Sequence, residues 1–295
     1  MDLVRSLAYL LCSSCRPQYR NQLKRPSTVN TITSRQNALV ARFRSARREH
    51  RDQRSRLVLD GLRLISDVVT GGKSLEVLLV STKALAQDTK LNQLVQQCQT
   101  KRIKVTAGSG PVMDAVSPMR TPSTAVALLE HCPVTVDSII HRKKGCVLVP
   151  IGVQDPGNLG GIIRVAAAAD LAGVVVDRSS ADPFGWKALR GAMGNTFRLP
   201  VTDTQNIQGL ISNARHAGWT IAATTPRGGL APSKKAMRKP IMILLGNEGG
   251  GLDPQLLTTV DLKISIPMAN GVDSLNVSSA AAVVAYELHT TTNKS

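Results

Sequence analysis

Arg164 closes the segment Asn158-Leu159-Gly160-Gly161-Ile162-Ile163-Arg164, which follows an apolar strand and opens a helix. A guanidinium about two turns into such a helix can grip a phosphate bidentately or stack on a base. The glycines let backbone approach a ligand closely, and the helix N-terminus favours negative charge. A structural turn, with the arginine capping nearby carbonyls, would use the same residues. Gly246-Asn247-Glu248-Gly249-Gly250-Gly251-Leu252 follows a second apolar strand and holds four glycines and one carboxylate. A phosphate cradle would want lysine or serine here and no acid, so this is neither a P-loop nor a dinucleotide fingerprint. The carboxylate suits a neutral or cationic ligand; a plain glycine turn is the alternative. Ile264-Ser265-Ile266-Pro267-Met268 ends a third strand, and Ser274-Leu275-Asn276-Val277-Ser278 follows it. Asp273 or Ser274 is a natural helix N-cap there, and Asn276 can hydrogen-bond a ligand or simply belong to a capped core helix.

Such strand-to-loop transitions are where α/β proteins place ligands, so the surrounding elements matter. Strands are expected at Val147–Val153, Val174–Asp177, Thr220–Thr225, Ile241–Gly246 and Leu262–Pro267. Helices are expected at Leu159–Asp170, Trp186–Met193, Gln205–Ala217 and Ser274–Leu288. This alternation predicts a doubly wound α/β domain with a mostly parallel sheet over 146–292. Upstream, Asn37 to Arg56 reads as a basic amphipathic helix and Leu57 to Val69 as its helical continuation. Strands at Leu75–Val80, Ile103–Thr106 and Ala125–Leu129, with a helix at Leu91–Gln99, complete a small α/β domain over 31–133. Residues 134–145 read as a linker and 1–30 as a basic disordered tail.

The net charge is +17, and residues 1–56 carry 13 Lys/Arg against three acids. Basic arms of this kind usually seek nucleic-acid phosphate, although a solvated tail has the same composition. The chain of 295 residues is long enough for two cores, and no stretch nears the ~18 apolar residues of a membrane helix. Five cysteines are scattered; Cys12 and Cys15 have no second pair or histidine to complete a zinc set, so reduced thiols fit best. The Arg-rich, acid-poor start suits a mitochondrial presequence, a weak signal peptide or an extension without a targeting role. Five histidines stand in unrelated contexts and none is assigned to catalysis.

In order and spacing, the three motifs resemble the signatures of the SpoU/TrmH family of RNA ribose 2′-O-methyltransferases, the knotted enzymes that use S-adenosylmethionine. The resemblance implies a C-terminal trefoil-knotted methyltransferase domain, preceded by a small RNA-binding domain built like a ribosomal protein. That second likeness rests on Asn37-Ala38-Leu39-Val40 through Leu59-Asp60-Gly61-Leu62-Arg63-Leu64. The family pattern implies catalytic roles for Asn158, Arg164, Glu248, Ser274 and Asn276. It implies cofactor contacts from Thr224, Gly246, Asn247, Glu248, Gly251, Ile266, Pro267, Met268, Ser274, Leu275 and Asn276. RNA would meet Arg42, Arg44, Arg47 and Arg48 in the first domain and Lys187 and Arg190 in the second. Gly191-Ala192-Met193-Gly194 departs from the small-Ser-Ala-Gly pattern of many members, and Asn247 stands where glycine is frequent. The implied assembly is a homodimer through the knot region, acting on ribosomal or transfer RNA without metal or membrane. The expected compartment is a bacterial cytoplasm, with the mitochondrial matrix as alternative. A catalytically idle RNA-binding assembly factor and a knotted base-N-methyltransferase are the competing readings.

Overall fold

A computed structural model describes residues 29–142, 145–233, 235–238, 240–247 and 249–288. Glu248, the lysines of the basic run at 143 and 144, and the first 28 residues, Cys12 and Cys15 among them, lie outside the described residues. By contacts the chain divides into two units. One takes the chain up to Val58 with Ser74–Cys132, and the other takes Leu59–Lys73 with everything from Pro133.

The N-terminal elements are β1 (Asn30–Ile32), α1 (Ala38–Arg48), β2 (Arg56–Asp60), α2 (Leu62–Thr70), β3 (Val77–Ser81), α3 (Thr82–Leu85), α4 (Thr89–Thr100), β4 (Lys104–Gly108), α5 (Gly110–Val116) and β5 (Ala125–Glu130). Their strands form one five-stranded sheet in the order β1-β4-β3-β5-β2. β1 and β3 both pair with β4 in parallel, while β3 and β5 are antiparallel. α1 starts where the Asn37 side chain accepts the Leu39 N–H at 2.9 Å, and it buries Val40, Phe43 and Ala46 at helical spacing.

Two expectations need correction here. The helix over 37–56 stops at Arg48, and Leu57 to Val69 is not its continuation: Arg56–Asp60 is a strand, followed by α2. Gly61 at φ +109° makes the break, a backbone state that residues with a Cβ rarely take. Leu57, Leu59 and their neighbours are buried together on a covered strand, so a helical period through Leu59, Leu62 and Ile65 was coincidence.

In α4, burial pushes the Cys98 thiol from 9.0 up to about 11, against a small opposing pull from Lys101. Native protein at pH 8 should therefore alkylate with iodoacetamide at exposed Cys132 and spare Cys98. Peptide mass mapping reads this out; equal modification of both would show that α4 opens readily.

The second unit carries α6 (Val136–Ile140), β6 (Cys146–Pro150), α7 (Pro156–Ala168), β7 (Gly173–Asp177), α8 (Trp186–Gly191), β8 (Val201–Thr204), α9 (Ile207–His216), β9 (Thr220–Thr224), β10 (Ile241–Leu245), α10 (Pro254–Thr258), β11 (Leu262–Ile264) and α11 (Val277–Leu288). Six strands in the order β11-β9-β10-β6-β7-β8 form a wholly parallel sheet. Its central strands read as continuous apolar runs because helices cover both faces. α7 and α11 pack on one face with Leu159, Ile162, Ile163, Ala281 and Val284. α6 and α9 cover the other with Ile139, Ile140, Leu210, Ile211 and Trp219. The stretch expected as a linker thus contains α6, anchored where the buried Trp219 indole donates to the Ile140 carbonyl at 2.9 Å. α11 starts three residues later than expected, since the Asn276 side chain, not Asp273 or Ser274, accepts the N–H of Ser278.

Candidate active site

The chain builds β6, β7 and β8 outward in one direction, then returns to place β10 on the other side of β6. The crevice where the winding reverses, at the carboxyl ends of β6 and β10, is the expected ligand position of an open parallel sheet. Both glycine-bearing motifs leave the sheet there. After β6, Asp155 caps α7 by accepting the Asn158 N–H at 2.8 Å, with Pro156 in the first helical position. After β10, the loop from Gly246 folds on itself. The Asn247 side-chain oxygen accepts the N–H groups of Gly249 (3.1 Å) and Gly250 (2.6 Å), and its carbonyl accepts that of Gly251 (3.1 Å). Asparagine at 247 is thus the residue that closes the turn.

Beside this loop lies a cleft of about 820 Å³ lined by Thr224, Gly246, Asn247, Gly251, Ile266, Met268, Ser274 and Leu275. Eight residues expected at the cofactor therefore share one cavity. Pro267 is exposed and does not line it, and Asn276 lies at its edge. Lys263 and Arg227, not singled out from the sequence, also line the cleft, as does Asp273, which was expected there only as a helix cap. Arg227 and Asp273 come from two separate loops and pair at 3.4 Å, a contact that nothing in their local sequence announces. A second cleft of about 920 Å³ between α9 and α10 contains none of the motif residues.

Asn276 Nδ2 donates to Asn158 Oδ1 at 3.0 Å, across 118 residues of sequence. The first and third motifs are thereby joined side chain to side chain. The glycines of the first motif, expected to admit a ligand, serve protein packing instead. A Cβ on Gly160 would stand 2.7 Å from the Ala188 carbonyl oxygen of α8, and one on Gly161 3.0 Å from the Ser278 Cβ of α11. Arg164 follows on the exposed side of α7. Its guanidinium makes no hydrogen bond or ion pair among the described residues, and six helical positions place it roughly 120° around the axis from Asn158.

The basic residues divide by use. Arg42 pairs with Glu76, which also accepts from Arg56 at 2.8 Å, and Arg47 donates to the Ser117 carbonyl at 3.3 Å. These two of the expected RNA contacts are tied into their own unit. Arg44 and Arg48 extend from the exposed face of α1. On α8, Lys187 lies 5.6 Å over the Trp186 ring, and Arg190 is exposed.

Fold and site define an α/β protein with an open cleft at the carboxyl ends of β9, β10 and β11, and with a pair of hydrogen-bonded amides joining two of its motifs. Residues 145–286 match the SpoU rRNA Methylase family. An uncharacterised tRNA/rRNA methyltransferase of Synechocystis is 30% identical over 262 residues, which is 88% of this chain and 94% of that protein. The 23S rRNA (guanosine(2553)-2′-O)-methyltransferase RlmP of Bacillus subtilis is 34% identical over 180 residues, 61% of this chain and 70% of its own. The crystal structure of an AdoMet-bound rRNA methyltransferase from Sinorhizobium meliloti is 26% identical and superposes with a TM-score of 0.72, covering 88% of this chain and 97% of that one. The chain belongs to the SpoU rRNA methylase family.

The cleft suits S-adenosylmethionine on its own chemistry. Its volume lies in the ordinary range for small-ligand sites, about 300–1,000 Å³. Ile266, Met268, Leu252 and Val277 offer an apolar surface for a purine, and the Gly246–Gly251 backbone offers polar groups without a phosphate-binding lysine in the loop. Among the described residues no group of three or more His, Cys, Asp or Glu could hold a metal ion, and no helix is long and apolar enough to cross a membrane.

Proposed function

We propose that this chain transfers a methyl group from S-adenosylmethionine to a ribose 2′-hydroxyl of structured RNA, ribosomal RNA in the first place. The observation that carries the reading is the Asn276–Asn158 hydrogen bond, which joins the first motif to the third, whose Ser274, Leu275 and Val277 line the strand-end cleft. The names of the relatives above, one of them a 2′-O-methyltransferase of 23S rRNA, support the substrate class.

Thr224, Gly246, Asn247, Gly251, Ile266, Met268, Ser274 and Leu275 would hold the cofactor, Pro267 would shape the loop beyond β11, and Glu248 is assigned by the family pattern alone. Bound there, S-adenosylmethionine supplies a methyl group already activated by its sulfonium charge. Asn158, Asn276 and Ser274 then orient the ribose. A guanidinium already carries its charge, so Arg164 would stabilise negative charge developing on the hydroxyl oxygen, while the hydroxyl proton would pass to the adjoining RNA phosphate or to water. Arg44 and Arg48 of the first unit and Lys187 and Arg190 of the second contact RNA phosphate.

The reading includes a homodimer and a trefoil knot. In support of the knot, the 16-residue connection from β9 to β10 runs along β11, where Leu230 bridges Ile264, before the chain continues into α11. In support of the dimer, Val272, Leu275, Val283 and Tyr286 are exposed apolar side chains on α11 and the loop before it. Leu275 belongs to both this patch and the cleft wall, so the seam would border the cofactor. Tyr286→Arg should shift sedimentation from dimer to monomer at micromolar concentration; an unchanged dimer would place the interface elsewhere. The reading also places its site of action in a bacterial cytoplasm.

The deciding experiment offers labelled S-adenosylmethionine and unmodified ribosomal and transfer RNA to the full chain. Digestion should yield nuclease-resistant labelled dinucleotides from ribosomal RNA. Label in free bases would instead indicate base methylation. No label in either RNA, with cofactor bound, would leave an RNA-binding role.

A further inference from the structure

Asn276 is held from behind. Its side-chain oxygen accepts two hydrogen bonds from one residue, the backbone N–H of Ser278 at 2.9 Å and the Ser278 hydroxyl at 2.6 Å. An amide whose oxygen is taken twice on one side must turn its NH₂ to the other, and that NH₂ donates to Asn158 Oδ1 at 3.0 Å. The network therefore orients both amides without ambiguity, with Asn158 as acceptor within the pair.

The backbone bond is an ordinary helix cap and does not need a serine at 278. The hydroxyl bond does. It fixes the torsion of an asparagine that is otherwise exposed, and its short length matches a strong O–H···O contact. Room for the hydroxyl comes from the facing helix, since a Cβ on Gly161 would stand 3.3 Å from Ser278 Oγ. Gly161, Ser278, Asn276 and Asn158 form a chain from the packed interior of α7 and α11 to the rim of the cleft.

We infer that Ser278 is a positioning residue for methyl transfer: its hydroxyl locks Asn276 in the rotamer that bridges to Asn158, and it touches neither cofactor nor RNA. The inference rests on the methyltransferase reading for its kinetic consequence and on the hydrogen-bond network for its structural one, so the two can fail separately.

The test uses the full chain as wild type, Ser278→Ala, Asn276→Ala and the double variant. Single-turnover methyl transfer should fall roughly tenfold in Ser278→Ala, the scale of one hydrogen bond. The cofactor Kd should stay within about twofold, since cofactor contacts are untouched. In the Asn276→Ala background, Ser278→Ala should cost nothing further, the signature of a residue acting through another. Independently of activity, the Asn276 side-chain NH₂ resonances, assigned by their loss in Asn276→Ala, should exchange slowly with solvent in wild type and quickly in Ser278→Ala. Additive losses, or an Asn276 amide that exchanges equally in both proteins, would overturn the inference. Slow wild-type and fast variant exchange without any methyl transfer would sustain the positioning and sink the methyltransferase reading.

Discussion

Arg164→Ala should lower single-turnover methyl transfer by roughly 10²–10³-fold, the effect of removing one preorganised charge from a reacting centre. The cofactor Kd and the melting temperature should barely move. Both expectations follow from where the side chain sits. Arg164 is exposed on α7, lines no part of the cofactor cleft, and makes no hydrogen bond or ion pair among the described residues. Among the described residues its removal therefore breaks no hydrogen bond or ion pair, and an exposed helical alanine is well tolerated. Arg164→Lys would keep the charge and lose the planar fork, so it should recover only part of the rate if a phosphate is gripped bidentately. Full activity in Arg164→Ala would remove this residue from the chemistry altogether.

The second large effect concerns binding. A Cβ at Gly246 would stand 2.5 Å from the Gly251 carbonyl carbon and 2.7 Å from both its oxygen and the Leu252 nitrogen. All three are backbone atoms, so no side chain can swing aside. The loop they belong to is pinned by the three hydrogen bonds to Asn247 and forms one wall of the cleft. Gly246→Ala must displace that wall. Overpacking of this kind typically costs about 1–3 kcal/mol, which, expressed at the binding site, weakens the cofactor by about 5–150-fold. Calorimetric titration with S-adenosylhomocysteine measures it directly. Affinity equal to wild type would show that the ligand does not use this loop.

Several site features were legible in the chain because they are local. Glycines after an apolar strand leave their mark within a few residues, whereas the strand expected to run to Pro267 ends at Ile264 and leaves Ile266-Pro267-Met268 in the loop beyond it. The central strands of the parallel sheet were equally plain, since a doubly covered strand is apolar throughout, but the edge strand β8, with its polar Thr-Asp-Thr end, was not expected. Other features are invisible to any window. The Gly61 break between β2 and α2 was lost because strand and helix residues happened to share a helical period. α6 was lost because a five-residue helix owes its stability to Trp219 and the sheet face, not to its own pattern. Ser278 could have been found, since a polar residue two places after an asparagine at a helix start is a capping signature.

The sequence by itself determined the chemistry available: an arginine six residues after an asparagine, a carboxylate among glycines, and an asparagine in each of the three motifs. Only the tertiary structure decided how these are used. Sheet order gathers the loops after β9, β10 and β11, between Thr224 and Ala280, into one cleft, and one hydrogen bond joins Asn158 after β6 to Asn276. Close helix packing gives Gly160 and Gly161 a structural role, and folding ties up Arg42 and Arg47 while leaving Arg44 and Arg48 exposed. The physical reason is range. Turn and capping preferences act over one or two peptide units, whereas hydrogen bonds and steric contacts between elements exist only once sheet order has brought those elements together.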